Sequence, residues 1–228
     1  KLGMPLLRCE VALLNKLPFC VRINFDDAQS REALRKDGWR EIEVLETWEC
    51  RTPFPSSRNV RVRLIEPGDV PACEQIAETA FEFDRLHIDP KVPDDLANEH
   101  KRGAVRNAMA GCCQIYVAVD FSWRNDGLTL PRLVEQAVGF NIVKRDGPVA
   151  VIDLIAVAKG WQRRGVGQAL LRAVLTPETE IIRAGTQAVN EPARNLYRRC
   201  GFSLVKKQRT FHKDRPVVAG EKGIALVA

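Results

Sequence analysis

One stretch of the sequence constrains the fold more than any other: a buried apolar segment that leads through a glycine-containing turn into an amphipathic segment. Residues 151–157 are apolar apart from Asp153, the turn carries Gly165 and Gly167, and an amphipathic run follows. Glycines lack the Cβ atoms that would keep a ligand from the backbone, so consecutive N–H groups can converge on an anion where a helix begins. The pattern therefore predicts a strand, an anion-binding loop and a helix. An ordinary strand-to-helix turn remains an alternative, because short glycine patterns recur by accident.

Two other phosphate-binding motifs do not fit this turn. A dinucleotide fingerprint requires a third glycine where Leu170 stands, and a P-loop requires Gly-Lys-Ser/Thr, which the chain lacks. The pattern that remains is Q-x-x-G-x-G, which runs from Gln162 to Gly167.

The composition of the chain favours a globular protein with a sizeable core. Of 228 residues, 45% are hydrophobic and 28% are charged, and no run of 18 uninterrupted apolar residues occurs. Residues 1–5 are not followed by a secretory segment, so we expect a cytoplasmic protein without a membrane anchor.

The cysteines, histidines and charges exclude several kinds of site. The seven cysteines are scattered without a C-x-x-C pair and the three histidines are dispersed, so we expect neither a disulfide framework nor a metal site. The net charge of +6 is distributed among interleaved acidic and basic residues. This distribution argues against nucleic acid as a partner and is compatible with an anionic small molecule.

Apolar periodicity and turn residues predict a mixed α/β fold with antiparallel neighbours in the middle. We expect a long loop over 82–95, helices over 72–81, 96–109, 167–174 and 192–199, and strands over 60–64, 115–119, 135–143, 149–157, 181–188 and 203–213. Prolines and serines in 52–57 predict a linker. The expected division is a small N-terminal module (1–57), a main domain (58–213) and a tail of unassigned structure (214–228).

A second motif follows the strand predicted over 181–188. It has the form N-x-x-A-x-x-L-Y-x-x-x-G-F, beginning at Asn190 and ending at Phe202. Together with Q-x-x-G-x-G, in this order and spacing, it resembles the GCN5-related N-acetyltransferase (GNAT) superfamily over about residues 58–213. The resemblance implies a GNAT fold, in which helices flank a mixed, splayed sheet.

The resemblance also implies acetyl-CoA as the cofactor and a primary amine as the acyl acceptor. Backbone groups of Ile155, Ala156 and Val157, with Asn190, would bind the pantetheine arm. The pyrophosphate would be held by a loop of seven residues: Gln162, Arg163, Arg164, Gly165, Val166, Gly167 and Gln168. For the two arginines, a solvated basic surface is an equal alternative.

Tyr197 and Asp153 are the predicted catalytic residues. A phenol has an ordinary pKa of about 10, so Tyr197 would be protonated at neutral pH and could donate to the departing thiolate; a packing role is the alternative. Asp153 is the candidate general base, or a residue that orients a neighbouring loop. The superfamily transfers acyl groups directly, which argues against Cys112 or Cys113 as a covalent carrier.

The first fifty residues contain an ungapped match to the second motif at an offset of 163. Residues 27–39 align with 190–202, so that Gly38 falls on Gly201 and Leu34 takes the place of Tyr197. No glycine loop precedes this segment. It is therefore predicted to be an inert, truncated GNAT-like half-copy, with chance similarity of two helix–strand hairpins as the alternative.

A truncated N-terminal module joined to such a domain resembles the enzymes that acetylate dTDP-4-amino-4,6-dideoxyhexoses such as dTDP-fucosamine. This resemblance implies an amino-sugar nucleotide as the acceptor, bound by Arg85, His87 and Asn98, unless these belong to an ordinary polar loop. A protein or peptide N-acetyltransferase and a non-catalytic acyl-CoA-binding protein are the alternatives. The sugar, the acyl chain length and the oligomeric state, a homodimer included, stay open.

Overall fold

The computed structural model describes residues 16–51, 60–111, 113–124 and 132–215. The linker predicted over 52–57 and most of the tail lie outside these ranges. In chain order the elements are β1 (Phe19–Asn24), α1 (Ala28–Lys36), β2 (Arg40–Cys50), β3 (Arg61–Leu64), α2 (Val70–Ala80), α3 (Asp94–Ala110), β4 (Gln114–Arg124), β5 (Arg132–Asp146), β6 (Val149–Val157), α4 (Val166–Arg172), β7 (Ile181–Gln187), α5 (Glu191–Arg199) and β8 (Ser203–Lys213).

The strands form one mixed sheet in the order β1-β8-β2-β7-β6-β5-β4-β3. Neighbours are antiparallel except β6 and β7, which are parallel. Pairing of β6 with β7 ends at Ile152 and Ala184, although the strands continue to Val157 and Gln187. The sheet therefore opens between them. The predicted α/β architecture with a splayed mixed sheet is confirmed.

Helices cover both faces of the sheet, as alternate residues of β5 show. Phe140 and Ile142 belong to the apolar core that includes residues of α2 and α3. On the other face, the Asn141 amide donates to the Leu170 carbonyl of α4 at 3.2 Å. The edge of β6 that opens toward β7 is therefore accessible between two helical layers.

The N-terminal segment is part of this sheet, since β2 lies between β7 and β8. The strand pairings repeat at the offset found in the sequence. Phe19 of β1 lies opposite Lys213 of β8, and at an offset of 163 Ile182 of β7 lies opposite Cys50 of β2. The two β-α-β units are thus related by an approximate twofold axis. Folding of residues 1–57 as a separate module stays a prediction.

The helices of the two units also begin and end alike. The side chains of Asp27 and Asn190 each accept a hydrogen bond from the backbone N–H three residues further on. Gly38 and Gly201 follow the helices with φ angles of 76° and 79°. The matching sequence pattern thus corresponds to matching local structure, while a common origin of the two units stays a prediction.

A buried ion pair connects α5 to β2. The Glu46 carboxylate is fully buried and lies 3.0 Å from Arg194 Nε and 3.3 Å from Lys207 Nζ. We expect Arg194→Met to lower the free energy of unfolding by about 2 kcal/mol, less than the 3–5 kcal/mol typical of a fully isolated buried charge, because Lys207 remains. Denaturant unfolding measures this loss. Adding Glu46→Leu to Arg194→Met should restore much of the lost free energy of unfolding. If Arg194→Met alone were as stable as the wild-type chain, the Glu46–Arg194 ion pair would not stabilise the contact between α5 and β2.

Candidate active site

A cavity of about 400 Å³ lies at the opening of the sheet, bounded by β6, the turn after it and α5. It is lined by nine of the eleven residues predicted for the cofactor, all but Arg164 and Val166, and by Tyr197. Segments far apart in the sequence thus meet at one site, as the two motifs predicted.

The turn between β6 and α4 has a constrained backbone. Arg163 and Gly165 have φ angles of 64° and 87°, in the left-handed region that favours glycine. Helix α4 begins at Val166, and the N–H of Ala169 donates to the Gly165 carbonyl at 3.0 Å. The preceding N–H groups of the first turn have no acceptor within the helix, so they are available to a ligand.

Gly167 has a packing role that the motif did not reveal. A Cβ atom at this position would lie 3.0 Å from Leu196 Cδ2, closer than ordinary van der Waals contact. The absence of a side chain therefore lets α4 approach α5. This close approach brings the turn and Tyr197 to the same cavity.

The two predicted cofactor residues outside the cavity lining support its walls. The Arg164 guanidinium lies 4.9 Å from the ring centroid of Trp161, which lines the cavity. Val166 is buried in the apolar cluster that includes Val138 and Leu170. Val166 therefore packs the start of α4 against the core, and Arg164 lies over the ring of Trp161, which lines the cavity.

Tyr197 is 1% exposed, packs against aromatic rings and reaches the cavity, while its catalytic role stays a prediction. Its ring packs against Phe202 and Trp48, with centroids 5.2 and 6.4 Å away, and the residue also lines the cavity. Burial raises the pKa of the Tyr197 phenol well above its ordinary value. The hydroxyl is thus protonated at neutral pH and able to donate.

The structure does not bring Asp153 into the cavity lining. β-Sheet pairing passes from Ile142 opposite Leu154 to Val143 opposite Ile152, so a bulge leaves Asp153 unmatched. Its side chain is 41% exposed and lies 2.9 Å from Lys144 Nζ. Its role as a general base stays a prediction.

The predicted acceptor residues belong to a polar cluster between the loop that follows α2, helix α3 and β8. His87 Nε2 lies 2.9 Å from Asn98 Oδ1, and Arg85 Nη1 lies 3.2 Å from His212 Nε2. Neither pair is in the cavity lining. Burial lowers the pKa of His212, so this histidine is neutral at pH 7.

Several cavity residues were not predicted from the sequence. Glu82 and Phe83 come from the loop after α2, Trp161 from the turn after β6, and Asn195 and Arg199 from α5. The helical spacing of α5 offered a signal, because positions three or four apart share a helix face. The loop residues offered none, since their position depends on tertiary packing.

Residues 104–202 match the model of the acetyltransferase (GNAT) family. This stretch, less than half of the chain, is therefore similar to GNAT acetyltransferase domains. The matched range includes both motifs and all of the cavity except the contribution of residues 80–83.

The chain is 30% identical over 152 residues to the spore coat polysaccharide biosynthesis protein SpsD of Bacillus subtilis (strain 168), an alignment that covers 64% of this chain and 48% of that protein. The chain thus spans about half the length of this relative.

Two solved structures share the fold. A GCN5-related N-acetyltransferase from Sphaerobacter thermophilus has a TM-score of 0.56 at 18% identity, covering 89% of this chain and 62% of that one. A functionally unknown conserved protein from Staphylococcus epidermidis ATCC 12228 has a TM-score of 0.61 at 16% identity, covering 87% and 73%. At these identities the likeness concerns the fold alone.

No helix within the described ranges is both long and apolar enough to cross a membrane. Across the same residues, no group of three or more His, Cys, Asp or Glu side chains is arranged to hold a metal ion.

Proposed function

We propose that this chain transfers the acetyl group of acetyl-CoA directly to a primary amine, in a ternary complex. The proposal rests above all on one observation: a single cavity joins the turn after β6, the open edge of β6 and the buried hydroxyl-bearing residue Tyr197.

Backbone groups and charged side chains around the cavity support acetyl-CoA as the cofactor. The edge of β6 that faces β7 is unpaired after Ile152, which leaves backbone groups of residues 155–157 free to bind the pantetheine amides. The first amides of α4 suit the pyrophosphate, and Asn190 lines the path between these regions. Arg163 and Arg199 add positive charge for the phosphates.

Acetyl-CoA supplies an acyl group activated as a thioester. Within the site, Tyr197 holds a proton that it can donate to the departing sulfur, because burial disfavours its ionised form. The apolar packing around its ring fixes the direction of the hydroxyl. Tyr197 thereby acts as the general acid.

For the acceptor we propose an amino-sugar nucleotide. The likeness to a polysaccharide biosynthesis protein supports this class of acceptor. Arg85, His87 and Asn98 lie outside the cavity lining, in and near the loop that continues from the cavity residue Phe83, and an anionic, hydroxyl-rich ligand could exchange for their present partners.

The test is incubation with acetyl-CoA and a panel of amino-sugar nucleotides, simple amines and peptides, with thiol release and product mass as readouts. We expect the highest kcat/KM for an amino-sugar nucleotide and the mass of one added acetyl group. Faster acetylation of peptides would contradict the proposed acceptor. Binding of acetyl-CoA without transfer to any amine would contradict the proposed reaction.

A further inference from the structure

Glu43 on β2 is a buried carboxylate that forms no salt bridge within the part of the chain that the structure describes. It is 6% exposed; Oε1 accepts a hydrogen bond from the Thr210 hydroxyl at 3.0 Å, and Oε2 has no hydrogen-bond partner in the described ranges. The buried carboxylates of Glu46, Asp69 and Asp89, in contrast, each lie within 3.0 Å of an arginine. Burial of a carboxylate without an ion pair is costly, so Glu43 is unfavourable for stability.

Glu43 lies beside the opening of the sheet. The last paired residues of β6 and β7 are Ile152 and Ala184, and β7 continues beyond this pair along the opening to Gln187. Ile155 lines the cavity. Gln187 pairs with Leu45, and Glu43 stands two residues further along β2, within interaction distance of the Gln187 amide. The carboxylate is thus next to the end of β7 that borders the opening, although Glu43 itself does not line the cavity.

Glu43 approaches this opening from the face opposite α5. Pairing of β2 with β8 is regular from Glu43 to Glu46, so these side chains, three residues apart, lie on opposite faces. Glu46 contacts Arg194 of α5, the helix that carries Tyr197. On the Glu43 face the charged neighbours are Arg22 of β1 and Asp84, which directly follows the cavity residue Phe83. Glu43 and helix α5, which carries Tyr197, thus lie on opposite faces of the sheet beside the opening.

We propose that Glu43 binds the ammonium group of the acceptor through Oε2 and takes one of its protons. This inference rests on the proposed acetyl transfer. An ammonium supplies both the missing hydrogen-bond donor and the missing positive charge, whereas a hydroxyl supplies only the donor. The site therefore selects an alkylamine that is charged in solution.

Each proton and bond of the acetyl transfer has a donor and an acceptor. Glu43 receives one proton from the ammonium, the nitrogen lone pair forms a C–N bond to the thioester carbonyl carbon, and the C–S bond breaks. Tyr197 gives its proton to the sulfur, and the second proton of the nitrogen restores the phenol. Glu43 then releases its proton to solvent, so the net products are an amide, a thiol and one proton.

The ionisation of Glu43 supports this role. Burial raises the pKa of the Glu43 carboxyl, the Gln187 amide and the Thr210 hydroxyl oppose the rise, Asp84 adds to it and Arg22 opposes it. The net effect is a raised pKa, which makes the carboxylate a stronger proton acceptor.

The test is the isosteric variant Glu43→Gln, assayed with the amine that the wild-type chain acetylates best. We expect kcat/KM for the amine to fall about 100-fold, with the KM for acetyl-CoA unchanged and the acidic limb of the pH profile lost. The melting temperature at pH 7 should stay the same or rise, because the variant removes a buried charge. Since a raised folded-state pKa costs stability only above the ordinary carboxyl pKa of about 4.3, this difference should vanish at lower pH.

Three further variants make the result decisive. Glu46→Gln removes an equally buried carboxylate from the opposite face and should lower the melting temperature while the shape of the pH profile is kept. Glu82, which lines the cavity, and Asp153 are the competing bases. Loss of the acidic limb in Glu82→Gln or Asp153→Asn would overturn the assignment to Glu43.

The outcomes separate this inference from the proposed function. Transfer by the wild-type chain together with an unchanged Glu43→Gln variant would overturn the role of Glu43 alone. A variant that loses activity and stability together would show a structural role and would also overturn it. A wild-type chain that acetylates no amine would overturn both proposals.

Discussion

Replacement of Tyr197 by Phe is expected to lower kcat for acetyl transfer by about 100- to 1000-fold, within the range of general acid catalysis. The hydroxyl donates the proton that the departing sulfur needs, and phenylalanine cannot. The KM for acetyl-CoA should change little, because the ring between Trp48 and Phe202 is kept. Steady-state kinetics with saturating amine measures both constants.

Tyr116→Phe is the matched control, since Tyr116 is the other tyrosine of the chain. Its hydroxyl hydrogen-bonds with Gln114 and Arg145, and it does not line the cavity. This variant should keep the wild-type kcat. Equal kcat values for Tyr197→Phe and the wild-type chain would leave Tyr197 with a packing role only.

Local patterns predicted the individual elements well. The predicted strands 149–157 and 203–213 have the bounds of β6 and β8, and the helix predicted over 192–199 differs from α5 by one residue. These segments combine strong apolar periodicity with clear ends, such as the cap at Asn190 and the left-handed Gly201. Short-range energetics therefore sufficed for them.

The position of β2 could not be predicted in this way. The sequence indicated a strand after Trp39 but not that this strand would separate β7 from β8. Which strands pair depends on contacts between residues more than a hundred positions apart, and periodicity contains no such information. Glu43 could not be predicted from local patterns either, because only the strand order brings it beside Gln187.

In the candidate site, too, local patterns predicted some features, while others depend on how the elements pack together. The two motifs predicted residues that meet at one cavity, since these residues lie on consecutive elements around one opening, and their role in cofactor binding stays a prediction. The bulge that turns Asp153 toward Lys144 is a local irregularity that alternation does not reveal. The role of Gly167 was predicted incompletely, because its contact with Leu196 arises only when α4 packs on α5.

The second large effect is expected from Gly165→Val, which we predict to weaken CoA binding by about 30- to 100-fold. Gly165 lines the cavity and has a φ of 87°, where a β-branched residue is strained by about 1–3 kcal/mol. The turn would relieve the strain by moving, so its amides would no longer converge where α4 begins. Isothermal titration with CoA measures the change, at about 1.4 kcal/mol for each factor of ten.

Gly160→Val is the control for this substitution, because it places the same side chain at an earlier position between β6 and α4. A Cβ atom at Gly160 has no neighbour within 4 Å and the residue has no positive φ, so CoA binding should stay near that of the wild-type chain. If Gly165→Val bound CoA as the wild-type chain does, the turn would not hold the pyrophosphate. Thermal unfolding of both variants separates loss of the site from loss of the fold, because strain confined to one turn leaves the core between β6 and α4 in place.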